Sequence, residues 1–589
     1  MKNQPDYNYL TTDNRLLQEA EKRAETFIRD EEQFQLGFIP TEQSHPYTNQ
    51  LSSVIQEDTK AGLKLLLDVD RDIPSVARRI FLSEPYEELC KAFEDAAVHK
   101  RRVCFTGCGS TGRLSMMLEE MWRQFWEDRA GVESGDASRR SDDSDENLVC
   151  ADLACSIMTG GDRALIRAVE NFEDYEAFGA RQVQDLNLAE DDLIIAISEG
   201  GETSSVLGTV FEGRKRGCRV FLAFNNPASV MTSRLERCRR AINDEQVTVL
   251  DLYTGSMSLS GSTRMQATTM EMLVIAAAME CGLKQSVGIE TPENTDYANL
   301  FAALIRDLSS DSALEGMAAW AEEEQNVYEQ GGRLTYLAGP YLLDIFSDTT
   351  ERSPTFMLPP FRACDDSTSA ISWAFARDPD HEAEEAWVRM LRRSPRGLNW
   401  LRKDYMEMDA PLNVTDNPPV LDSSEIARYL IGHEEDPRRR DCSIFLNLKI
   451  CVDGASSLAG VPEDGKTIFL GSPGNKPDGM IDFSVFLNLP ESPISLWQHL
   501  AVKLIFNTVS TGTMAMMGRI RGNWMIQLDP TNKKLIDRGS RIISQLLDIS
   551  YKEACTELYL SLLAREKFQA EGMHTILSPV EAVLKRRSK

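Results

Sequence analysis

The stretch Phe105-Thr106-Gly107-Cys108-Gly109-Ser110-Thr111-Gly112-Arg113-Leu114 constrains this chain more than any other. An apolar strand over Val103 to Phe105 enters a loop of three glycines and two hydroxyls. A helix follows from near Gly112 and carries Leu114, Met116, Met117, Leu118 and Met121. Glycine lets the backbone turn sharply and approach a ligand closely. The free amides at the start of the helix favour an anion. Gly109, Ser110 and Thr111 therefore read as a seat for a phosphate group, with two hydroxyls added to the amides. Gly107-x-Gly109-x-x-Gly112 also fits the dinucleotide-binding pattern. That pattern wants an acidic residue closing a second strand about 20 residues on. Here a long helical stretch runs through Trp126 instead, so no nicotinamide cofactor is expected. A purely structural glycine turn does not account for the paired hydroxyls.

The same construction recurs. Ile157 to Asp162 turns into a helix expected through Val169. Leu193 to Ile197 is a buried strand ending in Ser198-Glu199-Gly200-Gly201-Glu202-Thr203-Ser204-Ser205. Val220 to Phe224 and Val247 to Leu252 are further strands, and Leu259-Ser260-Gly261-Ser262-Thr263-Arg264-Met265 opens a long apolar helix through Met279. Strands alternating with helices imply an α/β fold with a doubly wound parallel sheet. Ligands in such sheets sit beyond the carboxyl ends of the strands. All three hydroxyl-rich loops fall there, so they can converge.

A second cycle begins near Arg333, with strands over Leu334 to Leu337, Ile444 to Ile450 and Thr467 to Leu470 and an apolar helix over Ile494 to Met517. It lacks the glycine-hydroxyl loops, and Asp344 or Ser347 are weak substitutes. The ligand is expected in the first unit. The expected layout is an N-terminal helical segment over 1–50, a first unit over 51–290 with a flexible insertion at 131–147, a second over 291–530, and a helical C-terminal region over 531–589.

A formal charge of −28, from 64 basic and 92 acidic residues, argues against nucleic acid or an anionic membrane as main partner. No apolar run is long enough to span a bilayer, and the N-terminus lacks a secretory apolar core. With twelve scattered cysteines, no CxxC and no HxxxH or HExxH, the expectation is a cytoplasmic protein of reduced thiols, without metal or cofactor.

The motifs together resemble the sugar isomerase (SIS) domain family, in particular two branches, the N-acetylmuramic acid 6-phosphate etherases and the glucokinase regulatory proteins. The matching stretches are Thr41-Glu42-Gln43-Ser44-His45-Pro46, Gly107 to Arg113, Gly160-Gly161-Asp162-Arg163, Glu170-x-x-Glu173-Asp174 and Ser260 to Met265. Lys503-Leu504-x-x-Asn507 to Gly512, Gly518-x-x-x-Gly522-Asn523-x-Met525 and Thr531-Asn532-x-Lys534-Leu535 continue the match. Length and two-unit layout resemble the regulatory branch. The resemblance implies a site of Gly109, Ser110, Thr111, Ser198, Thr203, Ser204 and Ser205, closed by Ser262 and Thr263. Glu173 would accept sugar hydroxyls, and Lys503 would reach the ligand.

The etherase reaction eliminates lactate next to a carbonyl and uses two glutamates, one as base and one as acid. Glu173 matches one of them. The other falls on Met121, with Glu120 one position away and about 100° off around the helix. Further departures are Glu199 to Thr203 in place of Ala-Ser-Gly-Arg-Thr, and Gln266 in place of a lysine. The resemblance therefore implies a non-catalytic sensor of phosphorylated hexoses, with a sugar kinase as candidate partner. The alternative is an etherase-type lyase using Glu173 and a displaced Glu120.

Overall fold

The computed structural model describes residues 13–131, 144–169, 172–291, 293–453, 465–477, 479–570 and 577–587. The insertion expected at 131–147 falls largely outside these residues, although a helix, Ser144–Ala151, already begins within it.

Two five-stranded parallel sheets form the frame. The first is built from β1 (Val103–Gly107), β2 (Ala154–Met158), β3 (Leu193–Ile197), β4 (Arg219–Phe224) and β5 (Val247–Asp251), ordered β2-β1-β3-β4-β5. The second uses β6 (Arg333–Leu337), β7 (Ala376–Arg377), β8 (Phe445–Val452), β9 (Lys466–Gly471) and β10 (Phe483–Phe486), ordered β10-β9-β8-β6-β7. Read from the other edge, this is the same winding. Each order reverses between its first and third strands, and there a crevice opens at the carboxyl ends. The fold class read from the sequence is the observed one.

The strands are short apolar runs because both faces are covered. Toward the molecular centre, Phe105, Ile195 and Phe221 of the first sheet share one core with Tyr336, Leu448 and Ile468 of the second. Helices Gln266–Ser286 and Leu496–Met516 pass through this core and are buried nearly all round. That is why they read as apolar without an amphipathic stripe. The units are also tied by charge. Arg264 donates to Asp348 Oδ1 at 2.7 Å and to Thr511 Oγ1 at 2.7 Å.

The N-terminal helix Asn14–Asp30 packs with the C-terminal helices Lys533–Leu547 and Tyr551–Ala570 through Phe27, Ile536, Cys555 and Tyr559. The two ends of the chain thus form one cap. Glu42, 1% exposed, fastens it by accepting from Arg538 Nε at 2.9 Å and from Arg541 Nη2 at 2.7 Å.

Two local expectations are corrected. After Gly161 there is a single 3-10 turn, Asp162–Leu165, rather than a helix to Val169. Asp162 is instead drawn into a buried pair with Arg393 of the second unit. Strands β7 and β10, of two and four residues, were not read from the sequence.

Candidate functional site

The loop after β1 is shaped by its glycines. Gly109 has φ +58°, and a Cβ on Gly107 would lie 2.4 Å from the Thr111 backbone. The helix therefore starts at Ser110, directly beyond the strand. Its first internal bond runs from Arg113 N–H to Gly109 O, at 3.1 Å. The amides of Ser110, Thr111 and Gly112 thus have no acceptor within the helix and point outward from its positive end. Thr111 is fully buried. Its hydroxyl donates to Cys108 O at 2.9 Å and accepts from Cys108 N–H at 3.0 Å. It pins the loop, and its amide is what remains for a ligand.

The loop after β3 lies against this one. Ser205 shares a hydrogen bond with Thr159 at 2.9 Å, and its amide donates to Glu173 O at 3.0 Å. The Ser198 hydroxyl donates to Thr203 at 3.1 Å. Ser204 opens helix Ser204–Lys215, a second positive helix end. Glu173 stands between the loops, with Oε2 3.9 Å from Cys108 Sγ. The third loop joins through Thr263, which lies beside the Glu199 carboxyl and favours its charged form. Ser262 is buried in the same turn, its amide bonded to Leu259 O at 2.9 Å.

The cap supplies what the sequence reading left out. Asn532 donates to Glu173 Oε1 at 2.7 Å, and Lys534 pairs with Glu202 at 2.6 Å. Thr531-Asn532-x-Lys534-Leu535 had appeared only as a matching motif, without a role. A small cleft opens here, lined by Glu173, Thr203, Ser204, Lys534 and Arg237, with Phe34 and Leu36 on its apolar side.

Five acids, Glu42, Glu173, Asp174, Glu199 and Glu202, crowd this region. Burial pushes Glu199 up to about 7, against the opposing pull of Lys534. Burial, with Glu173 beside it, pushes Asp174 up to about 6. Burial would lower the Lys534 ammonium, but Glu202, Glu42 and Glu173 reverse this and hold it above its ordinary value. The cleft thus offers two cations, Lys534 and Arg237, the positive end of the Ser204 helix, and carboxyls able to accept hydroxyls.

Two residues fall elsewhere. Glu120 faces the second unit, accepting from Arg392 Nε at 2.6 Å and lying 3.7 Å from His499 Nε2. It does not turn toward Glu173, because the helix that presents it buries Met121 completely on the neighbouring face. Lys503 lies beneath the third loop and donates to Arg264 O at 2.9 Å and Thr269 Oγ1 at 2.8 Å. Burial lowers it to about 7, against the attraction of Asp70.

The fold is that of a doubly wound α/β protein with glycine- and hydroxyl-bearing loops gathered at the carboxyl ends of one sheet. Residues 85–212 match the family described as "Glucokinase regulatory protein N-terminal SIS domain". Over 241 residues the chain is 27% identical to N-acetylmuramic acid 6-phosphate etherase of Yersinia pestis (strain Pestoides F), a span of 41% of this chain and 69% of that one. The etherase of Yersinia pseudotuberculosis serotype O:1b matches equally. Among solved structures, the C-terminal domain of glucosamine-fructose-6-phosphate aminotransferase from Francisella tularensis aligns with a TM-score of 0.40 at 11% identity, covering 77% of this chain and 96% of that one. Tagatose-6-phosphate ketose/aldose isomerase from Escherichia coli aligns with a TM-score of 0.32 at 9% identity, covering 76% and 92%. The chain is similar to the SIS domain family, in its glucokinase regulatory protein and etherase branches.

Proposed function

We propose that this protein binds a phosphorylated hexose at the carboxyl ends of the first sheet and acts as a regulatory sensor, with a sugar kinase as its partner. The phosphate sits on the amides of Ser110, Thr111 and Gly112 and on the Ser204 helix end. Glu173, oriented by Asn532, takes the sugar hydroxyls, and Lys534 closes the cleft from the cap. The observation that carries the non-catalytic reading is the placement of Glu120 on Arg392, with Met121 at the position of the second etherase glutamate. Elimination of lactate needs an acid and a base flanking one bond, and that pair is incomplete.

The lyase remains the second reading, because the matching curated relatives carry the etherase name and because Glu199 titrates near neutrality beside the third loop. Two assays separate the readings. A thermal-shift panel of fructose 6-phosphate, fructose 1-phosphate, sorbitol 6-phosphate and amino-sugar phosphates should raise the melting midpoint with one or more of them, since a ligand of the native state stabilises it by mass action. Incubation with N-acetylmuramic acid 6-phosphate should release no lactate. Lactate release that Glu173→Ala abolishes would establish the lyase and refute the sensor.

A further inference from the structure

The second sheet repeats the winding of the first but not its covering. In the first sheet, Ile194 and Ala196 of β3 are fully buried on the outer face and share a core with Val206, Leu207 and Val210 of the overlying helix. β8 pairs with β6 as β3 pairs with β1. The central faces correspond, since Leu446, Leu448 and Ile450 of β8 join the same core as Leu193, Ile195 and Ile197 of β3. The outer face of β8 therefore carries Asn447 and Lys449 where β3 has Ile194 and Ala196. A cavity of about 230 Å³ lies there, lined by Thr335, Leu337, Arg377, Asp378, Asp436 and Asn447 among others. It spans β7, β6 and β8, the point where this sheet's order reverses.

Two cations at this place are buried without full partners. Arg377, on the cavity wall, is 7% exposed and its Nη2 donates to Glu434 O, but its Nε has no acceptor among the described residues. Lys449, paired in register with the cavity residue Leu337, is 3% exposed and its Nζ likewise has no acceptor there. The nearby carboxylates are mostly committed. Asp378 accepts from His381 Nδ1 at 2.9 Å and from Asp380 N–H at 2.8 Å. Asp436 accepts from Arg438 Nε at 3.1 Å. Glu434 accepts from Ala383 N–H at 2.5 Å through Oε1, and its Oε2, without a hydrogen-bond donor, lies 3.7 Å from Arg377 Nη2 as an ion pair. Burial pushes both Arg377 and Lys449 below their ordinary values, against the attraction of Asp436 and Glu434 on the first and of Cys451 and Asp380 on the second. A buried cation without a partner is costly, and so is a polar strand face without one.

We propose that this cavity is a second ligand site, for a small hydroxylated anion, a phosphorylated or carboxylated polyol. The anionic group lies on Arg377 and Lys449, and the hydroxyls on Glu434 Oε2 and Asn447. The site is separate from the loops of the first sheet and needs none of their residues.

Isothermal titration of the full chain with glucitol 6-phosphate and with gluconate tests this and separates the two anion sources. One or both should bind, and Arg377→Met and Asn447→Ala should each weaken that binding about tenfold or more, the loss of one charged or neutral contact at a buried site. Glu173→Gln, in the first unit, should weaken only binding at the first site and leave a binding event that the second-unit changes remove. Binding insensitive to both second-unit changes, or abolished by Glu173→Gln alone, would overturn the proposal, as would no binding of either probe at millimolar concentration. Should the variants fold poorly, hydrogen exchange on the unaltered chain decides. Ligand-induced protection of Arg377–Asp378 and of the Gly432–Asp436 segment supports the site. Protection confined to Cys108–Thr111 refutes it.

Discussion

Glu42 is the perturbation that most directly tests how the site is assembled. It is 1% exposed and lies between Arg538 and Arg541 of the cap, about 500 residues away in sequence. Burial alone would raise its carboxyl, but the two guanidinium groups more than reverse this and hold it well below the usual carboxylate range. A depressed folded value means that this stabilisation is fully present above the ordinary carboxylate pKa near 4.5 and is lost as pH falls through the depressed value. Glu42→Gln leaves two arginines facing an amide. Removing one partner of a buried ion pair costs about 3–5 kcal/mol. That energy holds helix Lys533–Leu547 against the Pro40–Glu42 turn, so the loss should appear as local opening of the cap. Hydrogen exchange of the helix amides should accelerate by about two to three orders of magnitude at neutral pH, while β3 and β4 change little. Sugar-phosphate affinity should fall as well, because Asn532 and Lys534 ride on that helix. Glu42→Leu combined with Arg538→Met should recover part of the stability, since it removes one unpaired guanidinium and leaves Arg541 paired with Asp537. Exchange and affinity both unchanged in Glu42→Gln would refute the view that this cluster fastens the cap over the site.

Lys534→Met removes the cation paired with Glu202 at 2.6 Å, and sugar-phosphate affinity measured calorimetrically should fall by about 1.5–3 kcal/mol, the range for a charge-assisted contact. Unaltered affinity would take Lys534 out of the site. Thr111→Val deletes both hydroxyl bonds across the loop and should cost about 1–3 kcal/mol in urea unfolding, along with ligand response, while Thr111→Ser should restore both. Glu199 retains its proton in the fold up to about 7 against an ordinary value of 4.5, so the unfolded chain binds fewer protons between these limits and stability falls as pH rises across them, by about 3 kcal/mol in total. Glu199→Gln should flatten that limb of the stability–pH curve, and an unchanged curve would exclude Glu199 as its source.

Much of the frame was legible because parallel strands buried on both faces must be short apolar runs, and because a glycine turn into a helix leaves its signature in a few adjacent residues. The helix read over Ile494 to Met517 is found at Leu496–Met516 for the same local reason. What was not legible depends on distant partners. Strand β7 has two residues and gains its place only by pairing with Tyr336 and Leu337. The turn at Asp162 is set by Arg393 and by the Arg396 amide, which donates to Asp162 Oδ2 at 2.7 Å. Glu120 carries no local sign that Arg392 will claim it. Asn532 and Lys534 reach the cleft across more than 300 residues, so only their place in a matching motif marked them.

The Ser260–Met265 loop explains how a ligand in one unit can be felt in the rest of the molecule. At one end, Thr263 lies beside the Glu199 carboxyl of the site. At the other, Arg264 crosses into the second unit to Asp348, Ser510 and Thr511, while its carbonyl accepts from Lys503 at 2.9 Å and Asn507 at 2.7 Å. Ser260 meets the Asn523 carbonyl through its amide at 2.9 Å. These contacts are buried and directional, so the loop cannot shift at Thr263 without trading hydrogen bonds at the unit interface. On the proposed function, a sugar phosphate that draws the loop inward favours the arrangement of units compatible with those bonds, and it shifts the population by no more than its difference in affinity for the two arrangements. Coupling of this kind assigns Lys503 a role other than contact with ligand. Its ammonium holds the loop's backbone, and its lowered pKa makes that hold sensitive to pH near neutrality.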